Sequence, residues 1–139
     1  MTVRRPTDAE YEAYDGMHCW QLWRQTSDAW RCPVCDRTKR QIMRWGKRVG
    51  SNARIYGPVG WKCGLHSHHD HGTRWRGSVL ICGGCNSADG AAKRMLGVAY
   101  EFSFSVDELA RFVTAKINGP CVIDYEVARR VLRRARCEQ

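Results

Sequence analysis

Residues 65–86 run Leu65-His66-Ser67-His68-His69-Asp70-His71-Gly72-Thr73-Arg74-Trp75-Arg76-Gly77-Ser78-Val79-Leu80-Ile81-Cys82-Gly83-Gly84-Cys85-Asn86. Histidines crowd the start, a glycine-punctuated turn follows, and Val79-Leu80-Ile81 reads as a short buried strand that delivers Cys82. Cys82-Gly83-Gly84-Cys85 is matched upstream by Cys32-Pro33-Val34-Cys35. Two such pairs are the signature of a structural Zn2+ held by four thiolates, because a tetrahedral sulfur set closes the metal off. A thioredoxin-type redox motif needs one pair beside a βαβ pattern, which is not present. The chain has 8 cysteines, enough for a disulfide framework by count, but no secretory signal is visible and the expected cytoplasmic setting keeps thiols reduced. Cys19, Cys63, Cys121 and Cys137 are scattered and read as ordinary buried or exposed thiols.

Working outward, Thr7-Asp8-Ala9-Glu10 reads as a capping box that opens a helix running to about Ser27, with Tyr14, Cys19, Leu22 and Trp23 as its apolar stripe. Residues 36–60 form a basic stretch ending in Gly57-Pro58-Val59-Gly60, an expected exposed loop or hairpin. Trp45 and Tyr56 lie among its charges, as stacking groups or as packing anchors. After the cysteines, Asn86 and Ser87 are placed to cap a helix over residues 88–96, stopped by Gly97. Val98, Tyr100, Phe102 and Phe104 alternate as in a strand. Ser105-Val106-Asp107-Glu108 opens a helix with Val106, Leu109, Phe112, Val113 and Ile117 on its buried face, ended by Asn118-Gly119-Pro120. A last helix begins near Asp124, apolar at Val127, Val131 and Leu132, basic at Arg129, Arg130, Arg133, Arg134 and Arg136.

The 139 residues suit one domain, 43% hydrophobic and 27% charged. The expected class is α+β and mainly helical, with an N-terminal helical segment (1–30), a zinc-bound core (31–97) carrying the basic insertion (36–60), and a C-terminal strand and two helices (98–139). No apolar run approaches the roughly 20 residues of a membrane-spanning helix. Lys and Arg number 23 against 14 Asp and Glu, a net charge of +9 that points to a polyanion partner, nucleic acid above all.

Around the histidines, strand alternation turns His69 and His71 to one face, His68 and Asp70 to the other. Neither the His-Glu-x-x-His motif of zinc hydrolases nor the His-x-Glu of zinc deaminases occurs. The run from Leu65 to His71, then Arg76-Gly77, then Cys82 to Asn86 and onward through Ser87-Ala88-Asp89-Gly90, resembles the phage recombination endonuclease VII family within the HNH, or His-Me finger, nucleases. With Cys32 and Cys35 the resemblance covers residues 30–96. It departs from the family where His68 stands at a usual aspartate, and where residues 36–60 lengthen the gap between the first cysteine pair and the histidines. A competing register makes Asp70-His71 the metal and base pair.

The resemblance implies a ββα-metal, treble-clef-like core with flanking helices, and phosphodiester hydrolysis of double-stranded or branched DNA. His69 is the implied general base. His68 and Asn86 are the implied ligands of a catalytic Mg2+, or of Mn2+ or Ni2+, with Asp89 binding or orienting that ion and His71 orienting the phosphate or donating a proton. The candidate DNA contacts are Arg37, Lys39, Arg40, Arg44, Lys47, Arg48, Arg74, Arg76, Lys93 and Arg94. A Holliday-junction resolving enzyme is one expectation, implying a homodimer touching through Val127, Val131 and Leu132 in the cytoplasm of a bacterial or phage-infected host cell. A general nicking or homing HNH enzyme and a non-catalytic zinc-dependent DNA-binding module are the alternatives.

Overall fold

The computed structural model describes residues 3–137. The chain is α+β, with seven helices and three separate two-stranded antiparallel sheets among the described residues. The decisive unit is β3 (Leu65–His69), β4 (Ser78–Cys82) and α5 (Gly83–Leu96). Its two strands pair from Leu65↔Cys82 to His69↔Ser78. Helix α5 starts five residues before the expected Ala88 because Cys82 is its cap, the sulfur accepting the Cys85 N–H. Asn86 therefore sits inside the first turns of the helix and not at its cap. Gly84 is needed there: a Cβ would come within 2.9 Å of the Cys121 sulfur.

The N-terminal helix is broken. α1 (Asp8–Ala13) carries the expected capping box, Thr7 with Glu10. A 3-10 turn (Met17–Cys19) and α2 (Trp20–Gln25) follow. Gly16 makes the break, at φ +81, where a Cβ would fall 2.7 Å from the Trp23 side chain. The close approach that glycine permits seats Trp23 in the core, with Tyr14 edge-on to it.

The basic stretch folds as α3 (Lys39–Ile42), β1 (Arg44–Lys47), α4 (Gly50–Tyr56) and β2 (Val59–Lys62), an antiparallel arm with a helix inside its loop. Trp45 and Trp61 pack edge to face across it at 5.2 Å, and the Arg4 guanidinium lies 3.5 Å over Trp45. Trp45 is thus a packing anchor of the arm.

Residues 98–104 form no strand. Phe102 and Phe104 turn toward the core but Tyr100 is exposed, and side chains take the place of a partner strand: Asp70 accepts the Ser103 N–H, and Asp89 accepts the Phe104 N–H. α6 (Val106–Phe112) ends five residues before Ile117, where β-branched Val113 and Thr114 turn to β5 (Val113–Ala115), paired with β6 (Cys121–Ile123). Ile117 is exposed instead of buried. In α7 (Tyr125–Cys137), Ala128, Val131, Leu132 and Ala135 are buried within the chain's own core. Val131 and Leu132 are therefore covered already, which removes them as the dimer contact.

Arg74 donates to both carboxylate oxygens of Glu108, tying the β3–β4 turn to α6. Burial pushes the Glu108 carboxyl up, but Arg74 and the Ser105 N–H outweigh it and hold it below the ordinary value of 4.5. A lowered carboxyl contributes stability that is present above its unfolded value and lost as pH falls through the folded one. The Tm is therefore expected to drop on acidification below about pH 4.5. Glu108→Gln, which keeps the capping box, should lower the neutral-pH Tm and flatten that acid dependence. An unchanged pH profile would show that the pair contributes nothing.

Candidate active site

Cys32, Cys35, Cys82 and Cys85 bring their four sulfurs within 4.8 Å of one another. The Cys32–Cys85 and Cys35–Cys82 separations are 3.9 and 3.8 Å. A tetrahedral zinc with Zn–S bonds of about 2.3 Å has sulfur–sulfur edges of about 3.8 Å. A disulfide would need about 2.05 Å. The donor set and its spacing therefore fit a structural Zn2+. The first pair is held by a tight turn, with Asp36 N–H on the Cys32 carbonyl at 2.7 Å and Asp36 at φ 59. Hydrogen bonding from Cys32, Cys82 and Cys85, joined by the Arg37 guanidinium at 3.2 Å, holds the Cys35 thiol below its ordinary range, while the Cys82 and Cys85 thiols are pushed up by contacts with Cys121, Cys32 and Cys35 and by burial.

Sequence reading missed the groups around this cluster. Cys121 lies 3.9 Å from the Cys85 sulfur, and Arg37 donates to it at 3.4 Å. Arg37 also donates to the Lys116 and Gly119 carbonyls, both at 3.0 Å. It is buried, a cation facing a thiolate cluster. Lys39 is buried as well, its ammonium on the Trp23 and Thr26 carbonyls at the end of α2. Arg40 is tied to Asp8 and Pro6, Arg48 to the carbonyls of Tyr56 and Trp61, and Arg74 to Glu108. These candidate DNA contacts serve the fold. Lys47, Arg76 and Arg94 remain exposed, while Arg44 and Lys93 are half-buried. Composition cannot separate the two groups, because a buried arginine or lysine looks the same in sequence as a solvated one.

His69 and His71 lie together and His68 lies apart from them, as alternation predicts, whereas His66, of the same parity as His68, is exposed and not buried. His69 is exposed at the end of β3, its ring 4.6 Å from His71, which stacks on Tyr100 at 4.3 Å. The His69 Nδ1 lies 3.1 Å from the Ser67 carbonyl. A carbonyl only accepts, so Nδ1 carries the proton and Nε2 of the neutral ring is left as a base. His68 is buried, its Nε2 2.6 Å from the Phe104 carbonyl and its ring against Trp75 at 5.3 Å. By the same logic His68 donates through Nε2. Asp70 is a loop staple, its two oxygens accepting the Arg74 and Ser103 N–H groups at 2.9 Å each.

Asp89 is buried, with Oδ1 on the Phe104 N–H at 3.0 Å and Oδ2 4.0 Å from the Lys93 ammonium. Burial raises its carboxyl above the ordinary range, against the opposing pull of the Phe104 N–H, His68 and Lys93. His68 and Asp89 thus grip the two ends of one residue, Phe104, from the hairpin and from the helix. Asn86 lies elsewhere: with His66 it lines a cavity of about 470 Å³ bounded by β3, α5 and the β1–β2 arm. Burial and the neighbouring His68, His69 and His71 hold the His66 imidazole below its ordinary value. Among the described residues, the four cysteines are the one group of His, Cys, Asp or Glu side chains gathered as metal ligands.

No protein-family description, curated protein or solved structure matches the chain. Among the described residues no helix is long and apolar enough to cross a membrane.

Proposed function

We propose that the chain is a metal-dependent DNA endonuclease of the HNH, or His-Me finger, type, similar in its core to the phage recombination endonuclease VII family. The observation that carries the reading is His69: exposed at the end of β3, its Nδ1 on the Ser67 carbonyl and its Nε2 free, in a ββα unit whose base holds four clustered sulfurs. In this reading Nε2 takes the proton of a water whose oxygen forms a new bond to phosphorus, while the phosphorus–oxygen bond to the leaving strand breaks. His71, in ring contact with His69, orients the phosphate or protonates the leaving oxygen.

A divalent cation, when bound, would neutralise the scissile phosphate; of the two ligands that the resemblance implies, His68 lies against Phe104 and Asn86 lines the cavity with His66, so the side chains are not gathered around one point here. The His68 N–H on a backbone carbonyl is the kind of outer contact that fixes a ligating imidazole. Asp89 serves by holding Phe104 in place. Imidazole is a softer ligand than carboxylate, so Mn2+ or Ni2+ is expected to support cleavage at least as well as Mg2+. His68→Asp should shift the preference toward Mg2+, which favours oxygen. An unchanged metal profile would remove His68 from the ligand set.

The reading is tested by incubating the zinc-loaded protein with linear, nicked, flapped and four-way DNA of one sequence. Paired cuts in the four-way substrate, together with a dimer mass in solution, mark a resolving enzyme. Equal cutting of all forms by a monomer marks a general HNH nuclease. A second reading, a zinc-dependent DNA-binding module without catalysis, draws on the burial of His68 and Asp89, and absence of cleavage with every metal would select it.

A further inference from the structure

Arg44 and Lys62 face each other directly across the β1–β2 ladder, and both line the cavity that holds His66 and Asn86. Like charges opposite one another in an antiparallel pair repel and destabilise it. Some cations of this chain are matched with acids, as Arg4 is with Glu10, Arg40 with Asp8 and Arg74 with Glu108. Here no Asp or Glu lines the cavity among the described residues. The Lys62 ammonium reaches only the Lys47 carbonyl, at 2.8 Å. Burial and the Arg44 charge hold that ammonium below its ordinary value, against the smaller opposing pull of the Cys63 sulfur. The Arg44 guanidinium has no hydrogen-bond or ion-pair partner among the described residues. His18 and Arg37 line the cavity as well. The fold therefore keeps a repulsive pair in a concave site, and an anion is what would relieve it.

We propose that this cavity binds the phosphodiester backbone of a single DNA strand, with Arg44 and Lys62 clamping a phosphate and His66 and Asn86 hydrogen-bonding beside it. The choice of DNA rests on the nuclease reading above. The choice of one strand rests on size: about 470 Å³ is in the range of small-ligand pockets and too small to enclose a duplex. Arginine offers a phosphate its planar fork, and lysine offers a compact charge. The arm that departs from the family pattern thereby gains a role as one wall of a strand-binding cleft.

The test uses the full-length, zinc-loaded protein and a fluorescent single-stranded oligodeoxynucleotide, titrated over a range of salt without added divalent cation. Binding is then read apart from cleavage, so an inactive protein can still show the clamp. Arg44→Gln/Lys62→Gln should weaken binding about tenfold near physiological salt. It should also flatten the slope of log K against log salt by about 1.4, at about 0.7 for each single-strand contact. The same variant should be at least as stable to heat as the parent in anion-free buffer, because the repulsion is gone. Arg44→Lys/Lys62→Arg keeps both charges and should restore the slope. Arg111→Gln/Lys116→Gln removes equal charge outside the cavity and should leave it unchanged. An unchanged slope in the first variant, an equal loss in the control pair, or a clear fall in the first variant's anion-free stability would each overturn the proposal. Inorganic phosphate raising the parent's Tm, with oligonucleotide slopes identical in parent and variant, would reassign the cavity to a small anion.

Discussion

Cys82→Ser or Cys85→Ser is expected to leave a protein that neither retains zinc nor folds around it. Both sulfurs are buried, and Cys82 is at once a proposed ligand, the cap of α5 and the last residue of β4. Removing it loosens the metal, frees the Cys85 N–H and detaches the helix from the hairpin. Structural zinc contributes on the order of 10 kcal/mol of folding free energy, comparable with the whole stability of a domain this size. Circular dichroism, Tm and zinc content measured together check it, with one zinc per chain expected in the parent. A folded parent without zinc, or a Cys85→Ser variant with the parent's Tm and metal content, would contradict the assignment. Chelation should reproduce the loss in the parent.

His69→Ala should reduce cleavage by about 10²–10⁴-fold, the usual cost of losing a general base, while leaving the fold intact. The side chain is exposed and its one hydrogen bond is to the carbonyl of Ser67, so truncation leaves no buried group unpaired. DNA binding in the absence of divalent cation should stay near the parent's. A variant that cuts at more than about a tenth of the parent rate would move the base to His71, the residue of the competing register. The two substitutions separate cleanly, since one removes structure and the other chemistry.

The zinc-and-hairpin unit was legible because its signals are local. A Cys-x-x-Cys pair after an apolar run specifies a strand and a knuckle with little help from the rest of the chain, and alternation separated His69 and His71 from His68 as the contacts do. What escaped reading depends on partners distant in sequence. Gly16 breaks the first helix for the sake of Trp23, and a thiolate in place of a hydroxyl caps α5. Residues 98–104 alternate like a strand but are held by Asp70, Asp89 and His68. Charge misled most at Arg37 and Lys39, whose surroundings are sulfurs and carbonyls brought in from residues as far away as Cys121 and Trp23. Lys62 drew no attention because it belongs to no motif, and His66 was read only as part of the histidine run; the ladder register and the shared cavity single them out.

The double grip on Phe104 bears on how freely this sequence can drift. His68 and Asp89 recognise the carbonyl and the N–H of that residue, so the requirement falls on its backbone. Other apolar side chains able to fill the space beside Phe112 are compatible with the clasp, whereas proline is not, since it has no N–H to offer Asp89. Neighbouring Ser103 is bound to the same rule through the Asp70 contact to its own N–H. Of the exposed residues just before them, Tyr100 stacks on His71, while the side chains of Ala99 and Glu101 carry no such demand, and substitution is best tolerated at those two. Lineages descended from this protein would thus keep the spacing of residues 103 and 104 to the helix that follows and an aromatic ring at 100, while positions 99 and 101 vary in composition.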